Sequence, residues 1–377
     1  MKRLFTIFTF LIAISFALSG CIFGQKPAPQ TVTPSVSPSG TYSHSEHSDD
    51  ATASSGDTTA SPTPSGFSYR LDYSIIPDAI KPKLTKADIE AYNAVIDAFA
   101  EYDTSITVSA NDGIKNLAEL IDLCFPVFFA DVRDSAFKIE GNTVSWSYNE
   151  SKDKHYELIN SFEDIVLDKL YEVNYGKAKD ASSLMRMLVL YKRITVEMNY
   201  HYESQSFFHG ECELSEDEYM NHSYDALSAE KGVCWCYARA YAFLLNHAGF
   251  EAFTVSCDGG IGHHEWTMFN YDGSWFFADP TWDMNGTLNY FGMTAKNREA
   301  DEYFLVDMKY FAGAAYPVSE DFEINDTRFS DLVTGTLGSI SSYDLDYKRN
   351  RIVIGNDSFL GLGEKVYFDL SNCEIIK

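Results

Sequence analysis

Residues 231–238 read KGVCWCYA, and this stretch predicts a helix that begins at Cys234. From Tyr237 onward, helix-forming and apolar residues dominate, and Gly249 stands where a left-handed residue would end the helix. We expect Gly232 to let the backbone turn into the helix. Cys234 would then lie in the first turn, where unpaired backbone N–H groups favour a thiolate and a developing oxyanion.

Two further residues complete a candidate thiol site. His264 and Asp279 follow Cys234 in the chain and supply a base and a carboxylate that can orient it. A cysteine on an apolar helix is usually a small buried hydrophobe when it occurs alone. The joint occurrence of these three residue types in one compact stretch favours catalysis over three separate structural roles.

His264 and Asp279 are expected at opposite ends of one β-hairpin. Aromatic-rich runs at 265–270 and 274–278 are separated by a turn signal at 271–273. With residues 271 and 272 central, His264 faces Asp279 directly; with residues 272 and 273 central, Asp279 is a diagonal neighbour on the same face. Both registers place the two side chains within reach, at roughly 5 to 8 Å between Cβ atoms.

The motifs around these residues resemble those of the transglutaminase-like superfamily. Its core has a Gly-Val-Cys-x-Gly-Tyr-Ala helix start, a His-Ala-Trp strand and an Asp-Pro-Thr-Trp strand end, and the match here runs from about Tyr224 to Asp283. The resemblance implies an α+β fold, in which a helix carrying the cysteine packs on an antiparallel sheet carrying the histidine and the aspartate. It also implies a papain-like triad, with no cofactor, formed here by Cys234, His264 and Asp279.

Two residues depart from the family pattern. Cys236 stands where the family commonly has glycine, and Glu265 where it commonly has alanine. Cys236 could crowd the first helical turn or compete chemically with Cys234. This departure favours the main alternative, a non-catalytic binding or adhesion module that keeps the fold while the triad is idle.

The N-terminus predicts export and lipid anchoring. A basic start at residues 1–3 precedes an apolar run at 4–18, and Leu-Ser-Gly-Cys at 18–21 matches a bacterial lipoprotein cleavage box. The apolar run is shorter than the roughly 20 residues that a membrane span needs. Residues 1–20 are therefore interpreted as a signal peptide and Cys21 as the lipidated residue. We expect an extracytoplasmic protein anchored to the bacterial cell membrane.

The remaining chain is expected to divide into a tether and three folded parts. Residues 21–67 are rich in Ser, Thr and Pro and cannot bury enough apolar surface to order. Hydrophobic periodicity and turn signals in the rest predict the following parts: an N-terminal α+β domain at 68–180, the catalytic core at 181–315 and a small β-rich extension at 316–377.

Composition restricts the partners. The chain has 29 Lys and Arg against 55 Asp and Glu, for a formal net charge of −26. Nucleic acid is excluded as a partner, because phosphate contacts need clustered basic residues. We expect a protein or cell-wall peptide substrate, with the membrane contacted through Cys21.

Two alternative uses of the cysteines remain open from the sequence. Soft ligands for zinc could come from Cys234 and Cys236 together with His263, His264 and His209, although adjacent strand residues point to opposite faces. A disulfide could join Cys236 to Cys212 or Cys257, although buried thiols are the expected state for most cysteines here.

These observations predict a cysteine acyl-transfer enzyme that acts on peptide or glutamine-type amide bonds through a thioester. We expect hydrolysis, as in a peptidase or amidase, rather than cross-linking.

Overall fold

The computed structural model describes residues 67–259, 262–311, 316–333, 339–355 and 366–376. The predicted signal peptide, Cys21 and almost all of the tether lie outside these residues, so those assignments stay predictions. In the part of the chain that is described, no helix is both long and apolar enough to cross a membrane.

A six-stranded sheet forms the centre of the fold, and its strands pair antiparallel throughout. From one edge of the sheet to the other, the strands are β11 (Tyr316–Pro317), β10 (Lys309–Tyr310), β6 (Ala252–Gly259), β7 (Gly262–Tyr271), β8 (Ser274–Ala278) and β9 (Phe291–Met293). This sheet, with the helix that packs on it, confirms the predicted α+β core.

The β7–β8 hairpin has the second of the two predicted registers. Tyr271 pairs with Ser274, so Asp272 and Gly273 are the two central turn residues. Both have positive φ, 53° and 77°, as a two-residue turn matching the twist of the strands requires. Thr267 pairs with Ala278, which places Asp279 diagonally from His264.

One helix, Cys234–His247, packs on β6 and β7 and is called the cysteine helix below. Its apolar residues are buried, because one side of the helix faces the sheet and the other faces surrounding helices. It ends at His247 with Ala248 as its C-cap, and Gly249 follows at φ 85°, as the sequence predicts.

The described part of the chain before residue 230 is mainly helical, and its helices pack around the cysteine helix. The first α-helix begins at Lys86, where Thr85 and Asp88 form a reciprocal capping box. The helices of the described residues are Lys86–Glu101, Leu117–Cys124, Lys152–Asn174, Ser183–Glu197, Tyr202–Phe208, Ser223–Ser228, Cys234–His247, Ala295–Ala300 and Val318–Asp321.

Three smaller sheets complete the described structure. One contains a hairpin around Gly141, another joins the short strands before the cysteine helix, and the third is a C-terminal meander. Their strands are β1 (Ser105–Thr107), β2 (Lys138–Glu140), β3 (Thr143–Ser145), β4 (Asn199–Tyr200), β5 (Lys231–Gly232), β12 (Ser342–Asp346), β13 (Arg351–Gly355), β14 (Val366–Asp369) and β15 (Glu374–Ile376). The domain boundaries expected near residues 180 and 315 stay predictions.

Candidate active site

Cys234 is the first residue of the cysteine helix. Val233, the residue before it, is extended at φ −101° and ψ −175°, so the chain enters the helix abruptly. Cys234 is 5% exposed. Its position in the first turn is the one that the sequence predicts, with the unpaired N–H groups of the helix start beside the sulfur.

Gly232 is required by a close contact rather than by an unusual backbone angle. A Cβ atom at this position would lie 2.4 Å from Cys236 Cβ and 3.0 Å from its Sγ. The glycine thus makes room for Cys236, two residues beyond Cys234. The crowding expected from Cys236 is real, and Gly232 relieves it.

His264 and Asp279 are in direct contact. His264 Nε2 lies 2.7 Å from Asp279 Oδ2, and the two side chains are 8% and 0% exposed. The hairpin register brings them together, because diagonal neighbours on one face of an antiparallel pair are within reach of a long side chain. Nδ1 of His264 is therefore the nitrogen that remains to exchange a proton with Cys234.

The carboxylate of Asp279 is held by four donors. Its Oδ1 accepts the backbone N–H groups of Thr281 and Trp282, each at 3.1 Å. Its Oδ2 accepts Arg298 Nη2 as well as the imidazole of His264. The Asp-Pro-Thr-Trp motif thus supplies two of the donors locally, and Arg298 supplies a third from a separate element.

The charges of the site favour an imidazolium beside a carboxylate. Burial opposes the charged form of His264, but the Asp279 carboxylate and the Cys234 sulfur raise the pKa of the imidazole to about 9. Burial likewise opposes ionisation of Asp279, but His264 and Arg298 lower its pKa to about 2. At neutral pH His264 therefore carries a proton that it can donate to a leaving group.

Aromatic rings surround the histidine. Trp282 stacks on His264 with ring centroids 5.3 Å apart and planes 22° apart. Trp266 and Tyr303 lie at 5.9 Å. These rings keep water from the imidazole and carboxylate, which strengthens the electrostatic interaction between them.

Two hydrogen-bonded contacts fix the cysteine helix on the strand that carries His264. Thr267 Oγ1 donates to the Ala238 carbonyl at 2.8 Å. Arg239 makes a two-point ion pair with Glu265, from Nε to Oε1 at 2.8 Å and from Nη2 to Oε2 at 2.9 Å. Glu265, the second departure from the motif described above, is thus a buried carboxylate paired with a half-buried arginine on the helix.

Cys236 lies apart from the triad. It is fully buried, and its Sγ lies 3.7 Å from the Met220 carbonyl oxygen. Burial raises the pKa of this thiol well above its ordinary value. Cys236 is therefore a protonated, inert thiol, and the structure gives no support to its competing with Cys234.

The other uses of the cysteines find no support among the described residues. Cys212, Cys236 and Cys257 are free thiols, as are Cys124, Cys234 and Cys373. In the described ranges, no group of three or more His, Cys, Asp or Glu side chains is arranged to hold a metal ion. His263 is exposed and its Nδ1 contacts Asp258 Oδ1 at 3.1 Å, whereas His264 is buried, so the two histidines do not share one site.

Arg239 and Arg298 are the residues of this region that sequence reasoning missed. Both are arginines in short stretches that would also suit an exposed helix face. Arg298 is buried and Arg239 is half-buried because other elements bring carboxylates to them, and nothing in the neighbouring sequence signals that pairing. The available signal was Glu265 itself. It stands in a strand rich in apolar residues, and a carboxylate buried there needs a cationic partner.

Comparison with known proteins yields partial structural matches. No protein-family model matches the chain, and neither does any curated protein sequence. A crystal structure of a TGase is 14% identical, with 35% of this chain and 34% of that chain covered and a TM-score of 0.28. The periplasmic domain of TgpA from Pseudomonas aeruginosa, bound to ethylmercury, is 19% identical, with 38% and 55% covered and a TM-score of 0.25.

A third match is a candidate cysteine protease from Cytophaga hutchinsonii. It is 15% identical, with 35% of this chain and 43% of that chain covered and a TM-score of 0.24. The chain thus spans between a third and about half the length of these structures. Similarity of this extent carries no conclusion about activity or substrate.

Proposed function

We propose that the protein is a cysteine acyl-transfer enzyme that cleaves peptide or glutamine-type amide bonds through a thioester. The observation that carries the proposal is the buried contact between His264 Nε2 and Asp279 Oδ2, with Cys234 acting on the same imidazole from the start of a helix. Nucleophile, acid and orienting carboxylate come from three separate elements.

Acylation follows from these groups. The sulfur of Cys234 attacks the carbonyl carbon, a C–S bond forms, and the oxyanion is stabilised by the N–H groups of the helix start. The C–N bond then breaks, and the leaving amine takes the proton of the His264 imidazolium. Asp279 holds the imidazole in the tautomer that can do this.

Deacylation uses the same groups in the opposite direction. His264, now neutral, accepts a proton from water while the water oxygen attacks the thioester carbonyl, and Cys234 leaves as thiolate with the imidazolium restored. An amine in place of water would give cross-linking. Hydrolysis is the favoured outcome, as in a peptidase or amidase on protein or cell-wall peptides.

The site of action is proposed from the sequence. The lipoprotein box at Cys21 supports an extracytoplasmic enzyme held at the membrane by a lipidated N-terminus. Expression of the full chain and of Cys21→Ala, followed by membrane fractionation, tests this: the variant should leave the membrane fraction. Equal membrane association of both proteins contradicts the anchor.

Alkylation of the intact protein tests the triad. Trypsin cleaves after Lys231 and Arg239, so Cys234 and Cys236 fall in one peptide whose fragment ions separate them. With iodoacetamide at pH 6, Cys234 should react quickly and Cys236 hardly at all, and His264→Ala should slow Cys234 by about tenfold or more. A Cys234 that is no more reactive than the exposed Cys212 supports the non-catalytic module instead.

The second nucleophile needs its own assay. Incubation with casein or purified wall peptides and a labelled primary amine distinguishes hydrolysis from amine incorporation. New termini without label are expected, and label incorporation that depends on Cys234 contradicts hydrolysis as the main reaction.

A further inference from the structure

We propose that Arg298 is a positioning residue for this triad: it holds the Asp279 carboxylate in place and limits how strongly that carboxylate retains the proton of His264. The inference rests on the proposed function. Its first support is a shared atom, because Arg298 Nη2 donates to Asp279 Oδ2, the same oxygen that contacts His264 Nε2.

Arg298 is completely buried. Its side chain is 0% exposed, and Nη1 lies 3.4 Å from Oδ2 of Asp301, which is 26% exposed. A buried guanidinium is costly unless carboxylates pair with it. Asp279 and Asp301 supply that pairing, so the position of Arg298 is set by the carboxylate that also serves the histidine.

Aromatic rings hold the guanidinium on its faces. The Cζ atom of Arg298 lies 4.4 Å from the ring centroid of Trp266 and 4.7 Å from that of Trp282. Tyr303 and Tyr290 follow at 5.6 Å and 5.9 Å. These are cation–π distances, and Trp266 and Trp282 are the same two indoles that flank His264.

An element outside the hairpin carries Arg298 to this place. It lies in the short helix Ala295–Ala300, whose N-cap Thr294 forms a capping box with Asn297. That helix follows β9, and β9 pairs with β8 just before Asp279. A capped helix in a fixed position can hold an arginine against the triad carboxylate.

The consequence for the triad is electrostatic. Asp279 and Cys234 favour the imidazolium, and Asp301 adds to them, whereas Arg298 places a like charge at Asp279 Oδ2, the oxygen that also contacts His264. Cys257 pairs with His264 across β6 and β7, and the phenols of Tyr303 and Tyr290 also face this region. With Arg298 present, His264 gives up its proton more readily to a leaving amine.

Charge removal tests the proposal through the pH profile. The rate of Cys234 alkylation by iodoacetamide should change where His264 loses its proton, near pH 9. Arg298→Gln keeps amide N–H donors but carries no charge. The pH at which the alkylation rate changes should therefore rise by about one unit. Arg298→Lys, which keeps a positive charge, should stay closer to the wild-type position.

Arg328 offers a matched control. It pairs with Asp326 at 2.6 Å and lies over the rings of Tyr271 and Phe276, but has no contact with the triad. Arg328→Gln should leave the profile unchanged. A folded Arg298→Gln with the wild-type profile, or an equal shift in Arg328→Gln, overturns the proposal.

A second readout covers the case in which Arg298→Gln does not fold. Lysine cannot contact both indoles as a planar guanidinium does. The rate at which Arg298→Lys hydrolyses p-nitrophenyl acetate, divided by the amount of Cys234 that reacts with iodoacetamide, should therefore be about tenfold lower than in the wild-type protein. A wild-type rate overturns the proposal. An unreactive Cys234 in the wild-type protein instead contradicts the proposed function itself.

Discussion

Arg239 and Glu265 join the cysteine helix to β7, the strand that carries His264. The arginine lies five residues after Cys234, and the glutamate directly follows His264; two hydrogen bonds of 2.8 and 2.9 Å connect them. Arg239 also contacts Asp122, so one cation serves two buried carboxylates. The pair fixes the distance between two chemical groups that belong to different elements.

Removal of Arg239 should destabilise the fold strongly. Arg239→Met leaves the Glu265 carboxylate buried without its cation and leaves Asp122 with only His222 as a cationic partner, and we expect the free energy of unfolding to fall by about 3 to 5 kcal/mol. Urea unfolding followed by circular dichroism measures this. Arg193→Met is the control, because it breaks pairs with Glu197 and Asp168 nearer the surface and should cost less than about 1 kcal/mol. Equal losses of stability in both variants would contradict this role of the Arg239–Glu265 pair.

Cys236 makes Gly232 obligatory. Gly232→Ala should destabilise the protein by about 1 to 3 kcal/mol through overpacking, because its Cβ would lie 2.4 Å from Cys236 Cβ. The double variant Gly232→Ala with Cys236→Gly should recover most of this loss. Pairing the first change with Cys236→Ala should not, since alanine keeps the clashing Cβ. Thermal unfolding of all four proteins gives the answer, and equal rescue by alanine and glycine would show that the contact is not the cause.

The thiol of Cys236 should not react with labelling reagents in the native protein. Burial raises the pKa of Cys236 and removes it from solvent, whereas Cys212 is exposed. Labelling at pH 7.5 should therefore modify Cys212 and leave Cys236 unmodified until urea unfolds the chain. Peptide mapping by mass spectrometry measures both sites, and rapid native labelling of Cys236 would contradict its assigned environment.

Stability should depend on pH through the triad. The folded-state pKa of His264, about 9, lies above its ordinary value of about 6.5. The stabilisation from its charged form is therefore fully present below about pH 6.5 and is lost as the pH rises through about 9. Asp279 has the opposite sign: its pKa is lowered to about 2, so its contribution is present above about pH 4 and is lost as the pH falls through about 2.

The comparison with His264→Gln isolates this effect. The stability difference between wild type and variant should be larger at pH 6 than at pH 10, as measured by urea unfolding at each pH. His222 titrates in the same alkaline range, since Asp122 and Asp134 raise its pKa to about 10 against the effect of burial. It is present in both proteins and cancels in the difference. A difference that does not change with pH contradicts the charged pair.

Local sequence signals predicted the elements that carry the candidate site. The apolar run after Cys234 and Gly249 gave both ends of the cysteine helix. The turn at Asp272 and Gly273 allowed two registers, both of which brought His264 near Asp279, and the structure has the second.

Close packing decided what local patterns could not. Gly232 and Cys236 are four residues apart, yet their contact depends on the angle at which the chain enters the helix. The sequence indicated possible crowding at Cys236, and only the tertiary structure determines which residue that cysteine crowds. The same holds for the inertness of the Cys236 thiol, which follows from its complete burial.

By itself, the sequence determined which residues could form a nucleophile, a base and an orienting carboxylate, because helix starts, turns and strand alternation depend on neighbours a few positions away. Only the tertiary structure decided that Arg239 pairs with Glu265 and that Arg298 shares an oxygen of Asp279 with His264. A buried charge must find its partner among whatever elements the fold brings to it, and that choice is made by long-range packing and desolvation.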